Sequence, residues 1–237
     1  MLSYEILFED NDIIVCYKPA GLAVQTKRLG QQDLESQLKN YRMRKKEAPY
    51  IGIIHRLDQP VEGVMVFAKN PGAAAKLSKQ VQGREIGKYY YAASQVAADV
   101  KPAEKKGTLT DYLGFDQRKN LGYLAKSDDT NAKKAVLDYE ILAEKADGQR
   151  KTVIFGIMLH TGRHHQIRLQ LAHLGFPLIG DTKYGGVPAP NLGLCSYRLE
   201  FKHPTSGKLM KFEIQPKNPG LSIPQLPEGN GTGGGHI

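Results

Sequence analysis

The chain has 237 residues and a formal net charge of +9. That length allows one large domain or two small ones, and no apolar run approaches the ~18 residues that a transmembrane helix needs. The N-terminus lacks the features of a secretory signal peptide, so we expect a soluble cytoplasmic protein without a membrane partner. The basic charge favours an anionic partner such as nucleic acid, although charge alone fits an ordinary basic protein equally well.

The start of the chain predicts short strands and a tight turn. Residues 6–17 form two apolar runs around an acidic turn. The Lys-Pro-Ala-Gly sequence at 18–21 then favours a turn, because Pro fixes φ and Gly permits positive φ. Cys16 and Cys195 lie among apolar residues, which is typical of buried free thiols in a reducing compartment, with a disulfide as the alternative.

A first helix is predicted by the spacing of Leu34, Leu38 and Tyr41 behind Asp33, a candidate N-cap. It runs into a basic segment, residues 42–46. That segment is compatible with a solvated helix end favoured by the macrodipole or with a phosphate-binding patch. We favour the interpretation as a solvated helix end.

A second helix is predicted after Asn70, with Pro71 in its first turn and Gly83 at its end. Its apolar face comprises Ala74, Leu77 and Val81. Further strands are predicted at residues 88–93, at 139–142 paired with 153–159 through an Asp-Gly turn, and at 197–201 paired with 208–214.

Hairpin connections with inserted helices predict an α+β fold, with a mixed, mostly antiparallel sheet flanked by helices. Residues 1–219 contain no obvious linker or repeat, which indicates a single domain. Residues 220–237 are rich in Pro and Gly and are expected to form a mobile tail.

The first polar cluster is His55-Arg56-Leu57-Asp58, just before the apolar run 64–68. A carboxylate such as Asp58 can serve as nucleophile or general base. If buried, it needs a cation or hydrogen bonds to stay ionised. The candidate cations are Arg56, Arg163 and Arg168. From the tetrapeptide alone, a structural Asp–Arg pair at a strand entrance is the favoured interpretation.

The second polar cluster, residues 161–168, predicts a strand end followed by a helix that begins near His164. Apolar residues at helical spacing, closed by a glycine, are Ile167, Leu171, Leu174 and Gly175. Arg168 lies about 100° from Ile167 on the helix surface. It can therefore point into a cleft at a helix N-terminus, a position that also suits a phosphate.

Metal and nucleotide cofactors are not expected. No carboxylate or cysteine stands at a usual ligand spacing from the histidines, which are His160, His164, His165 and His173 in this region. No P-loop and no G-x-G-x-x-G follows a strand. The chain has no Trp, so any stacking on RNA bases falls to Tyr, Phe, His or Arg.

Together the two clusters resemble the signatures of the RluA-type pseudouridine synthases. The first signature matches residues 55–58, Gly63 and 66–69, and the second matches 161–168, 171–177 and 180–185. Lys88, Tyr90 and Ala92 match the family's tyrosine motif, and residues 18–21 match its early turn. The resemblance runs from about residue 6 to residue 216 in the expected order, and the ordered set is highly specific.

The resemblance implies the pseudouridine synthase fold, with the catalytic domain over residues 1–219. It also implies a cofactor-free isomerase that detaches uracil from its ribose in tRNA or rRNA, rotates it and rejoins it through C5. Asp58 would be the nucleophile, Tyr90 would stack on the target base, and Arg168 would pair with Asp58. The base must be flipped out of its stack, at a cost of a few kcal/mol. Residues expected to contact RNA are His55, Arg56, Lys88, Arg163, His165 and Gln166.

Two departures from the family pattern stand near the clusters. Val61-Glu62 replaces the Thr-Ser or similar pair of many relatives, and His164 stands where Thr is frequent. Glu62 is expected to add a negative charge near the RNA edge of the site. No small N-terminal S4 domain is expected, so a monomeric catalytic domain would hold the RNA itself.

Two other functions are compatible with parts of the sequence. One is a non-catalytic RNA-binding or chaperone module on the same fold, against which the joint presence of Asp58, Tyr90 and Arg168 argues. The other is a hydrolase or lyase that uses Asp58 on another polyanion. That enzyme would need a second acid–base carboxylate or a metal, and the sequence offers no strong candidate for either.

Overall fold

The computed structural model describes residues 4–26, 30–101, 104–218 and 221, so the predicted tail, apart from Leu221, lies outside the described residues. Within them, the helices are α1 (Leu34–Arg44), α2 (Pro71–Gln82) and α3 (Gln166–His173). The strands are β1 (Glu5–Glu9), β2 (Ile13–Lys18), β3 (Gly52–Ile53), β4 (Glu62–Ala68), β5 (Gly87–Ala97), β6 (Lys106–Asp116), β7 (Leu121–Ala125), β8 (Lys133–Asp147), β9 (Arg150–Leu159), β10 (Leu194–Lys202) and β11 (Leu209–Glu213). None of these helices is long and apolar enough to span a bilayer.

All the strands join one mixed sheet, in the order β1-β2-β4-β10-β5-β9-β8-β6-β7, with β11 beside β10 and β3 beside β4. β4 and β10 run parallel, whereas the other recorded pairs are antiparallel. Gly63 permits the close approach of β4 to β10, because a Cβ there would lie 2.5 Å from the Cβ of Ser196. The α+β prediction, with a mostly antiparallel mixed sheet, is confirmed.

Strand β4 forms the centre of the core, and every one of its residues is buried. Val64 and Val66 pack in the same cluster as Leu77 of α2, while Met65 and Phe67 belong to the cluster that contains Leu38 of α1. Alternate residues of a strand point to opposite faces, so β4 is covered on both sides. The loop that enters β4 is therefore fixed to a rigid element.

The predicted helix starts are confirmed. Asp33 Oδ1 accepts the Ser36 N–H at 2.8 Å at the start of α1, and Asn70 Oδ1 accepts the Ala73 N–H at 2.8 Å at the start of α2. Each cap satisfies a backbone donor that the helix itself leaves unpaired. α3 differs: it begins at Gln166 behind His165, whose φ is 53° and whose side chain makes no capping hydrogen bond.

The hairpin of β6 and β7 was not predicted from the sequence. Glycines at 107, 114 and 122 interrupt its alternating pattern and weaken the strand signal. The structure shows why Gly114 is needed, since a Cβ there would lie 2.2 Å from the Tyr123 ring on β7. β8 also extends further than predicted, over Lys133–Asp147, and supports β6 along most of its length.

The basic segment 42–46 spans the end of α1, and two of its four cations make internal contacts. Arg42 is buried and donates to Glu47 and to the carbonyls of Tyr50 and Lys69. Lys45 pairs with Glu9 at 3.0 Å. These contacts support the helix-end interpretation over a phosphate-binding patch.

Both cysteines are buried free thiols, as predicted. Cys16 lies in β2 and Cys195 in β10. Burial raises the pKa of each thiol, so neither is activated as a nucleophile.

Candidate active site

Asp58 lies in the loop between β3 and β4, where it begins a tight turn. Its carbonyl accepts the Val61 N–H at 3.0 Å, and β4 starts at the next residue. The preceding Leu57 is buried and anchors the loop in the core. The Asp58 side chain keeps 27% of its surface exposed, so a substrate can reach its carboxylate.

The early turn at residues 18–21 clamps the Asp58 loop through Gln59. Gly21 N–H donates to the Gln59 carbonyl at 2.8 Å, and Gln59 Nε2 donates back to the Gly21 carbonyl at 3.0 Å. The fully buried Lys18 donates through Nζ to the same Gln59 carbonyl and to that of Leu22. Burial lowers the pKa of Lys18 to about 7, and the charge of Asp58 opposes that shift. Two distant parts of the sequence thus hold the carboxylate in place.

Arg168 reaches Asp58 from α3, with Nη1 at 3.4 Å from Oδ2. Its stronger partner is Asp181, whose two oxygens accept from Nε and Nη2 at 2.7 Å each. The Asp181 side chain has no exposed surface. Burial alone would lower the pKa of Arg168, but the contacts with Asp181 and the charge of Asp58 raise it. Asp181 therefore fixes a permanently charged guanidinium beside Asp58.

His165 lies on the other side of Asp58, with Nε2 at 3.5 Å from Oδ2. Its Nδ1 lies 2.6 Å from the Tyr184 hydroxyl, which accepts the Gly122 N–H at 2.9 Å. This contact leaves the hydroxyl hydrogen for Nδ1, an arrangement that favours the imidazole tautomer with its hydrogen on Nε2. Burial lowers the pKa of His165 to about 3, and the charge of Arg168 acts in the same direction. A neutral ring thus presents an N–H to the carboxylate.

Tyr90 lies in β5 with only 5% of its surface exposed. Burial raises the pKa of its hydroxyl, and the charge of Asp58 adds to that shift. The ring therefore belongs to the apolar wall near the carboxylate and stays un-ionised. The expected stacking of a base on Tyr90 remains a prediction.

Three residues expected to contact RNA are engaged inside the protein: His165, whose contacts are given above, Gln166 and His55. Gln166 is buried, and its side-chain amide accepts from Thr161 and Arg163 and donates to Val136 and Gln170. These contacts use all of its hydrogen-bonding positions. His55 accepts the Val66 N–H through Nε2 at 3.3 Å, and burial lowers its pKa to about 3. The Gln166 and His55 side chains stabilise the frame of the site in this structure.

The remaining residues expected to contact RNA lie at or near the surface. Arg56 is exposed. Arg163 donates through Nε to the Lys134 carbonyl at 3.0 Å, which fixes its side chain along β8. Lys88 is half-buried beside Gly162, and burial together with the charge of Arg163 lowers its pKa. Their roles in RNA binding remain predictions.

Glu62, expected near the RNA edge, is instead buried. Its carboxylate accepts from the Tyr17 hydroxyl at 2.6 Å and from the backbone amides of Lys217 and Asn218 at 3.3 and 3.0 Å. Glu62 thus ties the C-terminal segment to β2, and its charge does not face the RNA edge. From sequence alone the direction of this side chain could not be read, because its partners lie 45 and more residues away.

One group of residues in the described chain could hold a metal ion. Ligand atoms of Asp58, His164 and His165 lie within 4.8 Å of one another. One carboxylate and two imidazoles are a common part of a zinc or copper ligand set. Sequence spacing did not reveal this group, because Asp58 precedes the two histidines by about a hundred residues.

Comparison with known proteins connects this geometry to a family. The family described as RNA pseudouridylate synthase matches residues 12–173. The chain is 34% identical over 212 residues to the uncharacterized RNA pseudouridine synthase YhcT of Bacillus subtilis, covering 88% of this chain and 67% of that protein. It is 33% identical over 232 residues to ribosomal large subunit pseudouridine synthase D of Pseudomonas aeruginosa, covering 90% and 68%.

The fold gives the same assignment. Human RNA pseudouridylate synthase domain containing 1 superposes with a TM-score of 0.72 at 22% identity, covering 91% of this chain and 84% of that one. The fold is thus that of the RNA-modifying isomerases known as pseudouridine synthases. The chain belongs to the RNA pseudouridylate synthase family, in the RluA-type branch that its motifs indicated.

Proposed function

We propose that this protein isomerises specific uridines of structured tRNA or rRNA to pseudouridine, with Asp58 as nucleophile on a flipped-out base. It acts as a cytoplasmic monomer without a metal or an organic cofactor. The observation that carries the proposal is the setting of Asp58: a reachable carboxylate flanked by a fixed guanidinium and a neutral imidazole N–H.

The two oxygens of Asp58 have different surroundings. Among the described residues, Arg168 and His165 both face Oδ2, at 3.4 and 3.5 Å. Oδ1 is then the oxygen that approaches the reacting nucleotide. A carboxylate attacks as the anion, and the guanidinium beside Oδ2 has the complementary charge.

The reaction is an internal exchange of bonds. The bond from N1 of uracil to the sugar C1′ breaks, the base rotates, and a bond from C5 to C1′ forms. The C5 proton is lost and N1 takes up a proton, so no oxidant, reductant or second substrate is consumed. Asp58, as nucleophile, forms a transient bond to the nucleotide that breaks again before the product leaves, while the base turns against the apolar wall that contains Tyr90.

The RNA is held by charge around this centre. A net charge of +9 attracts the phosphate backbone, and the exposed Arg56 stands two residues before the nucleophile. The target base must leave its stack, which is least costly in loops. Structured RNA with exposed loops is therefore the expected substrate class.

The test compares pseudouridines in cellular RNA with and without the gene, then restores them with purified protein. Wild type and Asp99→Asn, which changes an exposed carboxylate outside the site, should both modify the same uridine. Asp58→Asn should form no product yet bind the RNA almost normally. Substantial turnover by a folded Asp58→Asn protein would remove Asp58 from the nucleophile role. RNA binding without any gene-dependent pseudouridine would favour the non-catalytic module.

A further inference from the structure

A cleft of about 530 Å³ opens beside the active site, against the β6–β7 hairpin. The residues that matter to its chemistry are Phe115, Tyr123, Asn131, Lys133, Arg163 and His164. It therefore combines aromatic faces, amides and two cations in one concave surface, together with one carboxylate, Asp116, whose Oδ1 accepts the backbone amides of Arg118 and Lys119. The catalytic chemistry around Asp58 uses none of the hairpin's side chains.

A column of rings connects this cleft to the nucleophile. The centroid of Phe115 lies 4.0 Å from that of His164, and His164 lies 3.9 Å from His165. His165 in turn faces Asp58 at 3.5 Å. Phe115 is thus separated from His165, the residue that faces the carboxylate, by one intervening ring. That separation is comparable to the distance between neighbouring nucleotides.

The aromatic side chains of the cleft are unusually open to solvent. Phe115 and Tyr123 each keep 36% of their surface exposed, although most large apolar residues of the described chain are buried. The Tyr123 ring lies over the backbone of Gly114, so one side of the ring rests on the hairpin. Exposed aromatic rings are the surfaces on which nucleobases stack, whatever their sequence.

Charge around the rings suits a sugar–phosphate backbone. Lys133 and Arg163 both line the cleft. Arg163 is fixed by its Nε contact with the Lys134 carbonyl, which leaves its terminal nitrogens for an anion. A phosphate that followed a stacked base would lie near the fixed Arg163 and the exposed Lys133, and rings beside cations are typical of single-stranded nucleic acid grooves.

We propose that this cleft is a subsite for the base of a nucleotide adjacent to the target uridine, stacked on Phe115 and Tyr123. The proposal rests on the proposed function for the position of the target, but the subsite itself requires only that the protein binds single-stranded RNA. It would hold the flanking strand while the target base is turned out toward Asp58.

The first experiment needs no knowledge of the natural substrate. The full chain is crosslinked by ultraviolet light to a fluorescein-labelled pool of random-sequence RNA, and the crosslinked peptides are mapped. Crosslinks are expected on Phe115 or Tyr123. The matched control is Tyr50, which is 37% exposed but lies at the opposite end of β4 from Asp58. Crosslinks confined to other residues would overturn the subsite.

The second experiment measures the affinity of variants for the same RNA pool. Phe115→Ala should weaken binding about fivefold to a hundredfold, the loss of one stacked base. The salt slope should stay unchanged, because no charge is removed. Phe115→Tyr should restore binding, whereas Phe115→Leu, which keeps the hairpin's apolar contact, should not. Tyr50→Ala should bind as wild type.

The outcomes separate the subsite from the catalytic proposal. Normal binding by a folded Phe115→Leu protein would overturn the subsite even if pseudouridine is formed. Weakened binding with crosslinks on the hairpin would support the subsite even if no pseudouridine is formed. A loss of binding in Phe115→Leu that Phe115→Tyr fails to restore would point to hairpin distortion and count against stacking.

Discussion

Asp181 binds two of the three guanidinium nitrogens of Arg168, and only the third faces the nucleophile. The two contacts at 2.7 Å are shorter than the 3.4 Å contact with Asp58. The position of Arg168 is thus set before any RNA arrives. A fully buried carboxylate, Asp181, therefore positions the cation that faces the catalytic carboxylate.

Asp181→Asn is expected to slow catalysis and to destabilise the fold. The amide keeps the size of the side chain but lacks the charge, so a buried guanidinium loses its counter-ion. Breaking such a pair costs about 3–5 kcal/mol, measured by urea unfolding. The single-turnover rate should fall, because the guanidinium that faces Asp58 is no longer held in place by two charged contacts.

The control for Asp181 is Asp138→Asn, which removes an exposed carboxylate paired with His160 at 2.6 Å. Exposed pairs contribute about 0–1 kcal/mol, so this variant should stay close to wild type. An Asp181→Asn protein with an unchanged rate would show that Asp181 does not position the site.

Tyr184→Phe is expected to let the imidazole hydrogen of His165 move between Nδ1 and Nε2. Without the hydroxyl, Nδ1 loses its donor and the hydrogen is no longer fixed on Nε2. The rate should fall about tenfold to a hundredfold, as for a lost hydrogen bond to a charged group. Long-range ¹H–¹⁵N NMR of labelled histidine should show an Nε2–H tautomer in wild type and a mixture in the variant. Tyr50→Phe is the control, and an unchanged His165 spectrum in Tyr184→Phe would contradict the assignment.

Zinc is expected to inhibit, although activity should survive exhaustive EDTA treatment with separately refolded RNA. Zinc would bind Asp58, His164 and His165, whose ligand atoms lie within 4.8 Å of one another, and block the nucleophile. His164→Thr should raise the inhibitory concentration at least about tenfold, a loss typical even of outer-shell changes. His173→Thr, which alters an exposed histidine bound to Asp111, should not. Equal inhibition of both variants would place zinc elsewhere.

The stability of the protein should fall in acid through Glu9. Burial alone would raise the pKa of Glu9, but hydrogen bonds from Lys69, Tyr41 and Lys45 lower it from 4.5 to about 2. A lowered carboxylate pKa stabilises the fold above the unfolded value and loses that effect as pH falls through the folded value. The loss between pH 4.5 and pH 2 should be on the order of 3 kcal/mol.

Urea unfolding across this pH range tests the Glu9 prediction. Glu9→Gln should reduce the loss of stability by about that amount, because its own titration is gone, while Asp12, Glu47 and Asp138, whose pKa values are also lowered, still titrate. Glu213→Gln, which changes an exposed carboxylate paired with Lys211, should leave it in place. A wild-type stability that is flat across the range would contradict the assignment of Glu9.

Local signals predicted much of the fold. Asp33 and Asn70 were recognisable as caps because a cap acts on amides two or three residues away. The hairpin turn at Gly148 was recognisable for a similar reason, since its residue type fixes the backbone. The β6–β7 hairpin was not predicted, because its glycines match tertiary contacts and not a local turn. An example is Gly114, which lies under the Tyr123 ring.

The sequence predicted which residues form the site but not how they contact one another. Asp58 and Arg168 stood out through their motifs, whereas the roles of Asp181 and Tyr184 depend on contacts that only the fold creates. Tyr184 acts through the backbone of Gly122, 62 residues away, on a strand that the sequence did not reveal. Gln166 is the opposite case. Its motif suggested a contact with RNA, but buried contacts inside the protein occupy all the donors and acceptors of its side chain.

The parallel pairing of β10 with β4 has a consequence for how the chain matures on the ribosome. β10 fills the gap between β4 and β5, yet it begins at Leu194, more than a hundred residues after β4 has been made. Until then the nascent protein has two open strand edges, one of them on β4, which is buried throughout in the finished fold, and such edges favour aggregation. A chain released before Lys202 would contain two separate sheets, each with an unpaired edge strand. We therefore expect the chain to depend most on nascent-chain chaperones between the synthesis of β5 and that of β10.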